Sequence, residues 1–114
     1  VIRHATNLTI DNKKKCGKIS STYTFFIANE LDNNVINIFR GCNLLKLEHS
    51  KQKGEFINNV KIMAFTIEEI ILILKWDIKY DKILDIVKNE FEIKNVDHIN
   101  DNWRDNLIKD ILLN

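Results

Sequence analysis

Proline is absent from this chain of 114 residues, and glycine occurs only three times. Few turns are therefore fixed by backbone chemistry, and the chain must bend mainly at clusters of Asn, Asp, Lys and Ser. Neither GxGxxG nor GxxxxGKS/T occurs, so no nucleotide-phosphate cradle is recognised. The two cysteines, Cys16 and Cys42, are too few for a disulfide framework or a zinc site built on short Cys/His spacings. A reducing, intracellular compartment is the expectation. No apolar run approaches the ~20 residues that span a bilayer. The longest, Ile70 to Leu74, is far shorter, so no membrane association is expected. His4, His49 and His98 lie far apart in sequence and share no metal-ligand spacing. No enzyme, metal or cofactor is expected.

What remains is ordinary for a single globular domain spanning residues 1–114: 45% hydrophobic and 29% charged residues. Ile, Asn and Lys dominate, which points to an A/T-rich genome. The net charge is only +1, but it is unevenly spread. Lys13 to Lys61 holds nine Lys/Arg and four Asp/Glu, a net +5; Ile62 to Asn114 holds seven against eleven, a net −4. The hydrophobic period changes near the same point, from mostly alternating to helical.

Residues 1–16 read as an irregular lead-in, with Ile2, Leu8 and Ile10 as a candidate edge strand. From Gly17 the alternation of Ile19, Ser21, Tyr23, Phe25 and Ile27 with Lys18, Ser20, Thr22 and Thr24 predicts a strand. Further strands are expected at Val35 to Arg40, Cys42 to Glu48 and Phe56 to Phe65, the last with Val60, Ile62 and Ala64 on one face. At this spacing the segment 17–65 reads as an antiparallel meander. Thr66-Ile67-Glu68-Glu69 is a capping box that opens a helix. A second helical stretch, with Tyr80, Ile83, Leu84, Val87 and Phe91 on one face, either continues it or follows a break near Trp76-Asp77. The last helix carries Trp103, Leu107, Ile111 and Leu112, so residues 66–114 read as helical. The expected fold is α+β: a four- or five-stranded antiparallel β-meander packed by C-terminal helices.

The chemistry on offer is a basic, aromatic strand region. Single-stranded nucleic acid is held by cations along the phosphates and by rings that stack on bases. The candidate cations are Lys13, Lys14, Lys15, Lys18, Arg40, Lys46, Lys51, Lys53 and Lys61. Tyr23, Phe25, Phe26, Phe39 and Phe56 interleave with them. Tyr23 and Phe25 share a face with Ile19 and Ile27 and read as core. Phe26 falls on the polar face beside Thr24 and is the candidate stacking ring.

The run Met63-Ala64-Phe65-Thr66-Ile67-Glu68-Glu69-Ile70, following four expected strands, resembles the Whirly and positive-cofactor-four group of single-stranded nucleic-acid binders. In that group a strand enters a helix through a small hydroxyl residue, with an acidic and an aliphatic residue three and four places on; here these are Thr66, Glu69 and Ile70. The resemblance covers residues 17–75. It implies curved antiparallel sheets, helices that mediate homo-oligomerisation, and nucleic acid lying across the sheet. The expected function is sequence-tolerant binding of single-stranded DNA or RNA. The alternative is a protein–protein interaction domain, a pleckstrin-homology-like barrel or a viral host-interaction protein. In it Trp76, Tyr80 and Trp103 fill a partner's groove.

Overall fold

The opening segment, expected as irregular, is a helix in the computed structural model, which describes residues 1–16, 22–93 and 102–113. This helix, α1 (Ile2–Cys16), buries Ala5, Thr6, Thr9 and Ile10 along one face. Its two buried threonines hide the helical pattern from a count of apolar residues. Each hydroxyl is satisfied inside the helix, Thr6 Oγ1 donating to Ile2 O and Thr9 Oγ1 to Ala5 O, both at 2.7 Å. That back-bonding lets a polar side chain sit on a buried face without a desolvated orphan. Lys13, Lys14 and Lys15 close the helix, where cations suit the negative end of its dipole.

Two compact units divide the chain, Val1–Phe65 and Thr66–Asn114. The first holds α1, β1 (Tyr23–Ala28), α2 (Asn33–Gly41), a 3-10 turn (Cys42–Leu44), β2 (Leu47–Glu48), β3 (Phe56–Ile57) and all but the last residue of β4 (Lys61–Thr66). Strands β1 and β4 form a two-stranded parallel sheet, and β2 and β3 a two-stranded antiparallel one. The expected four- or five-stranded antiparallel meander is therefore replaced by a mostly helical α+β fold with short strands.

The segment Val35 to Arg40, expected as a strand, forms α2 despite its β-branched residues. Asp32 caps it, its carboxylate accepting from the amides of Asn34 (2.7 Å) and Val35 (3.4 Å). Ile36, Phe39 and Arg40 are then buried at helical spacing. A helix between β1 and β4 provides the kind of crossover a parallel pair requires. Parallel strands commonly carry continuous apolar runs; Ile62-Met63-Ala64-Phe65 on β4 is such a run and is buried throughout, whereas β1 is only half-buried and leaves Ile27 exposed.

One face of this sheet joins the main core: Ala5, Phe39, Cys42, Val60, Ile62 and Ala64, with Ile2, Phe26, Leu31, Leu47 and Ile57 packed around them. Burying each large aliphatic or aromatic side chain there contributes about 1.5–3 kcal/mol. On the other face Phe25 meets Phe65 edge-on at 5.3 Å, and Lys61 Nζ lies 4.8 Å from the centre of the Tyr23 ring.

The second unit begins with the expected capping box. Glu69 N donates to Thr66 Oγ1 at 3.1 Å, and Thr66 N to Glu69 Oε1 at 2.8 Å. The same carboxylate pairs with Arg104 of the last helix. Helix α3 (Ile67–Lys75) ends where the sequence left a break open. Asp77 takes a left-handed φ of 50°. Asp77 N then bonds Leu74 O (3.2 Å) and Ile78 N bonds Ile73 O (3.1 Å), the two bonds of a Schellman closure. Helix α4 (Tyr80–Lys88) runs on as a π-helical turn (Asn89–Ile93), and α5 is Trp103–Leu113. Ile83, Val87, Phe91, Trp103, Leu107, Ile108 and Ile111 are buried, with the Phe91 and Trp103 rings edge-on at 6.0 Å. Trp103, expected as a candidate contact for a partner, is thus a core residue.

Candidate nucleic-acid interface

Among the described residues, the β2–β3 hairpin carries half of the exposed candidate lysines, Lys46, Lys51 and Lys53, and α1 carries the rest. Its register pairs Leu47 with Ile57 and Glu48 with Phe56. Leu47 and Ile57 pack on the core, so period-two alternation turns Glu48 and Phe56 outward. Phe56 is 46% exposed. Lys46 Nζ lies 4.9 Å from its ring centre, within cation–π range. An exposed ring flanked by a cation is the arrangement that stacks on a base and reaches the adjoining phosphate.

The loop between the strands is held by α1. Asn7 Nδ2 donates to Ser50 Oγ at 2.7 Å, and Ser50 N donates to Asn7 Oδ1 at 3.0 Å. His49, 4% exposed, anchors the turn: the amides of Lys51 and Gln52 donate to its Nδ1 at 3.1 and 3.2 Å. With Nδ1 accepting, the neutral ring carries its proton on Nε2, which donates to Asp11 Oδ1 at 3.2 Å. Gly54 N donates to Glu48 Oε2 at 3.0 Å. Gly54 itself has φ 84°, a conformation that favours glycine. The amides of Ser50, Lys51, Gln52, Gly54 and Glu55 are thus spent within the protein, and side-chain charge is what the loop mainly offers a polyanion.

That charge comes from both elements. Lys51 and Lys53 extend from the loop into solvent, Lys53 Nζ standing 4.0 Å from Glu48 Oε1. Lys14 bonds Gln52 Oε1 at 3.0 Å and pairs with Glu55 at 3.1 Å, which brings the Lys13–Lys15 end of α1 to the hairpin. Lys13 and Lys15 are exposed as well. These exposed ion pairs are weak and exchangeable, so a phosphate can displace Glu48 or Glu55 from its lysine. Six lysines (13, 14, 15, 46, 51 and 53) share this region with Asp11, Glu48 and Glu55, a net +3.

Three candidates fall elsewhere. Arg40 is buried at the end of α2, and Lys61 is buried on β4 against Tyr23. Phe26 is half-buried, its ring edge-on to Phe39 at 5.4 Å on the core side of β1. It packs rather than projects. Lys18 lies outside the described residues. Phe56, which sequence alternation assigns to the Val60 face, is the ring that projects. Asn59, with φ 66°, breaks the strand between Ile57 and Val60 and resets the alternation. The sequence signal was the Asn58-Asn59 pair, a turn dipeptide inside an otherwise continuous strand pattern.

Among the described residues no group of three or more His, Cys, Asp or Glu is placed to hold a metal ion. No helix among them is long and apolar enough to cross a membrane. No family model matches the chain, and neither a curated protein nor a solved structure matches it.

Proposed function

We propose that the chain binds single-stranded DNA or RNA without base specificity, using the β2–β3 hairpin and the lysine end of α1. The observation that carries this reading is the exposed Phe56 ring under Lys46, on the hairpin that also bears Lys51 and Lys53. Ring and lysines supply the stacking and electrostatic components of such binding separately. The loop is also pre-organised, so little ordering entropy opposes contact. Lys51 and Lys53 in the loop offer ammonium groups, and contacts of this kind to phosphate carry no sequence information.

Retention of labelled oligonucleotides across a salt series tests the reading. Log affinity should fall with log salt at about −0.7 per phosphate neutralised. Replacing Lys51 and Lys53 together with Ala should flatten the slope by about 1.4. Phe56→Ala should cost ~1–3 kcal/mol of affinity with the slope nearly unchanged, because stacking releases no counterions. A wild-type chain that retains no oligonucleotide at ~50 mM salt, where phosphate contacts are strongest, would sink the reading. A protein-interaction domain gives that result.

A further inference from the structure

Helix α3 has two unlike sides. Glu69 faces Arg104 of α5 and Ile73 is buried. On the other side Ile67 (42%), Ile71 (56%) and Leu74 (74%) are exposed. At about 100° per residue these three fall within one narrow stripe, roughly opposite Glu69 and Ile73. Aliphatic side chains at i, i+4 and i+7 have the spacing of the seam along which two helices pack.

Charge selects the occupant. Glu68 and Lys75, both exposed, are seven residues apart and lie on the same flank of the stripe. Consider two copies of α3 meeting stripe to stripe about a two-fold axis. If the helices run antiparallel, the axis keeps equal flanks on the same side. Glu68 then faces Lys75 of the partner subunit, and the pair occurs twice. If they run parallel, equal flanks fall on opposite sides and neither charge meets its complement. Antiparallel packing also opposes the two helix dipoles. We propose that this stripe is the interface of a homodimer in which two α3 helices pack antiparallel, an isologous contact. The inference is independent of the nucleic-acid reading.

One short helix offers much less than the ~800 Å² per partner of a standard interface, so the dimer is weak, with Kd on the order of 100 μM. Sedimentation equilibrium of the full chain up to about 1 mM should show a monomer–dimer equilibrium in that range. Glu68→Lys alone and Lys75→Glu alone each turn two attractions into repulsions and should weaken dimerisation about ten-fold. The two variants mixed should recover it as a heterodimer, because every charge then meets its complement. Ile71→Asp should abolish association. A monomeric wild type at 1 mM overturns the proposal and leaves the stripe to a different protein. A dimer indifferent to the charge variants, or a mixture that fails to recover, overturns the antiparallel pairing.

Discussion

His49 Nε2 lies 3.2 Å from Asp11 Oδ1, joining the β2–β3 hairpin to α1 through a buried ring. The opposite nitrogen accepts the amides of Lys51 and Gln52, so one side chain both docks the loop and folds it. His49→Ala removes the acceptor for both amides and the link to α1. It should cost about 1–3 kcal/mol in urea unfolding. His49→Asn restores a short acceptor that can take the same amides, as Asx turns do, and should recover part of that cost. Equal losses for the two variants would show that the ring fills space and does not organise the turn.

Phe26 separates folding from binding. Its ring packs edge-on against Phe39 beside the main core. Phe26→Ala should therefore lower stability by roughly 2–4 kcal/mol, a little under the usual cost for a fully buried ring. Oligonucleotide affinity per folded molecule should stay where it was, in contrast to Phe56→Ala. If affinity falls and the unfolding midpoint holds, Phe26 returns to the binding surface.

Local chemistry was legible in the sequence, and parity was not. The capping box at Thr66 and Glu69 was readable because both partners lie within one turn. The sequence near Trp76-Asp77 is compatible both with a continuous helix and with the break that is found. Helix α2 was hidden because Val35, Ile36 and Ile38 carry strand propensity, and tertiary packing of Ile36 and Phe39 overrides it. Helix α1 was hidden by Thr6 and Thr9 on its buried face. The basic character of the first unit was visible in composition. Which cations reach solvent depends on the β2–β3 register and on the burial of Lys61 and Arg40, and these need the fold.

The closure of α3 gives a test with a favourable sign. Asp77 adopts a left-handed conformation that costs an L side chain energy and glycine very little. Asp77→Gly should raise stability by roughly 0.5–1 kcal/mol, the glycine's greater freedom in the unfolded chain offsetting part of the relief. Asp77→Val, β-branched at positive φ, should instead lower it. Thermal unfolding of the three proteins decides the matter. A Gly variant less stable than wild type would mean that the Asp77 side chain contributes more than its backbone strain costs.

Cys42 and Cys16 differ in a way that pH and labelling both read. Cys42 is 2% exposed in the main core, and Cys16 is exposed at the end of α1. Burial raises the Cys42 thiol above its ordinary value of 9.0, because the thiolate would lose its hydration. In the unfolded chain that thiol ionises near 9.0, whereas in the folded protein it keeps its proton to higher pH. Between those two values the folded state binds more protons than the unfolded state, so stability falls as pH rises. The contribution is fully present below pH 9.0 and is lost progressively above it. Cys42→Ala should flatten the decline in unfolding free energy on the alkaline side of pH 9.0, at the cost of a smaller core side chain. At pH 8 a thiol reagent should modify Cys16 quickly and Cys42 only at the rate of opening, with both reacting in urea. Two thiols reacting at one fast rate in native buffer would contradict the burial of Cys42.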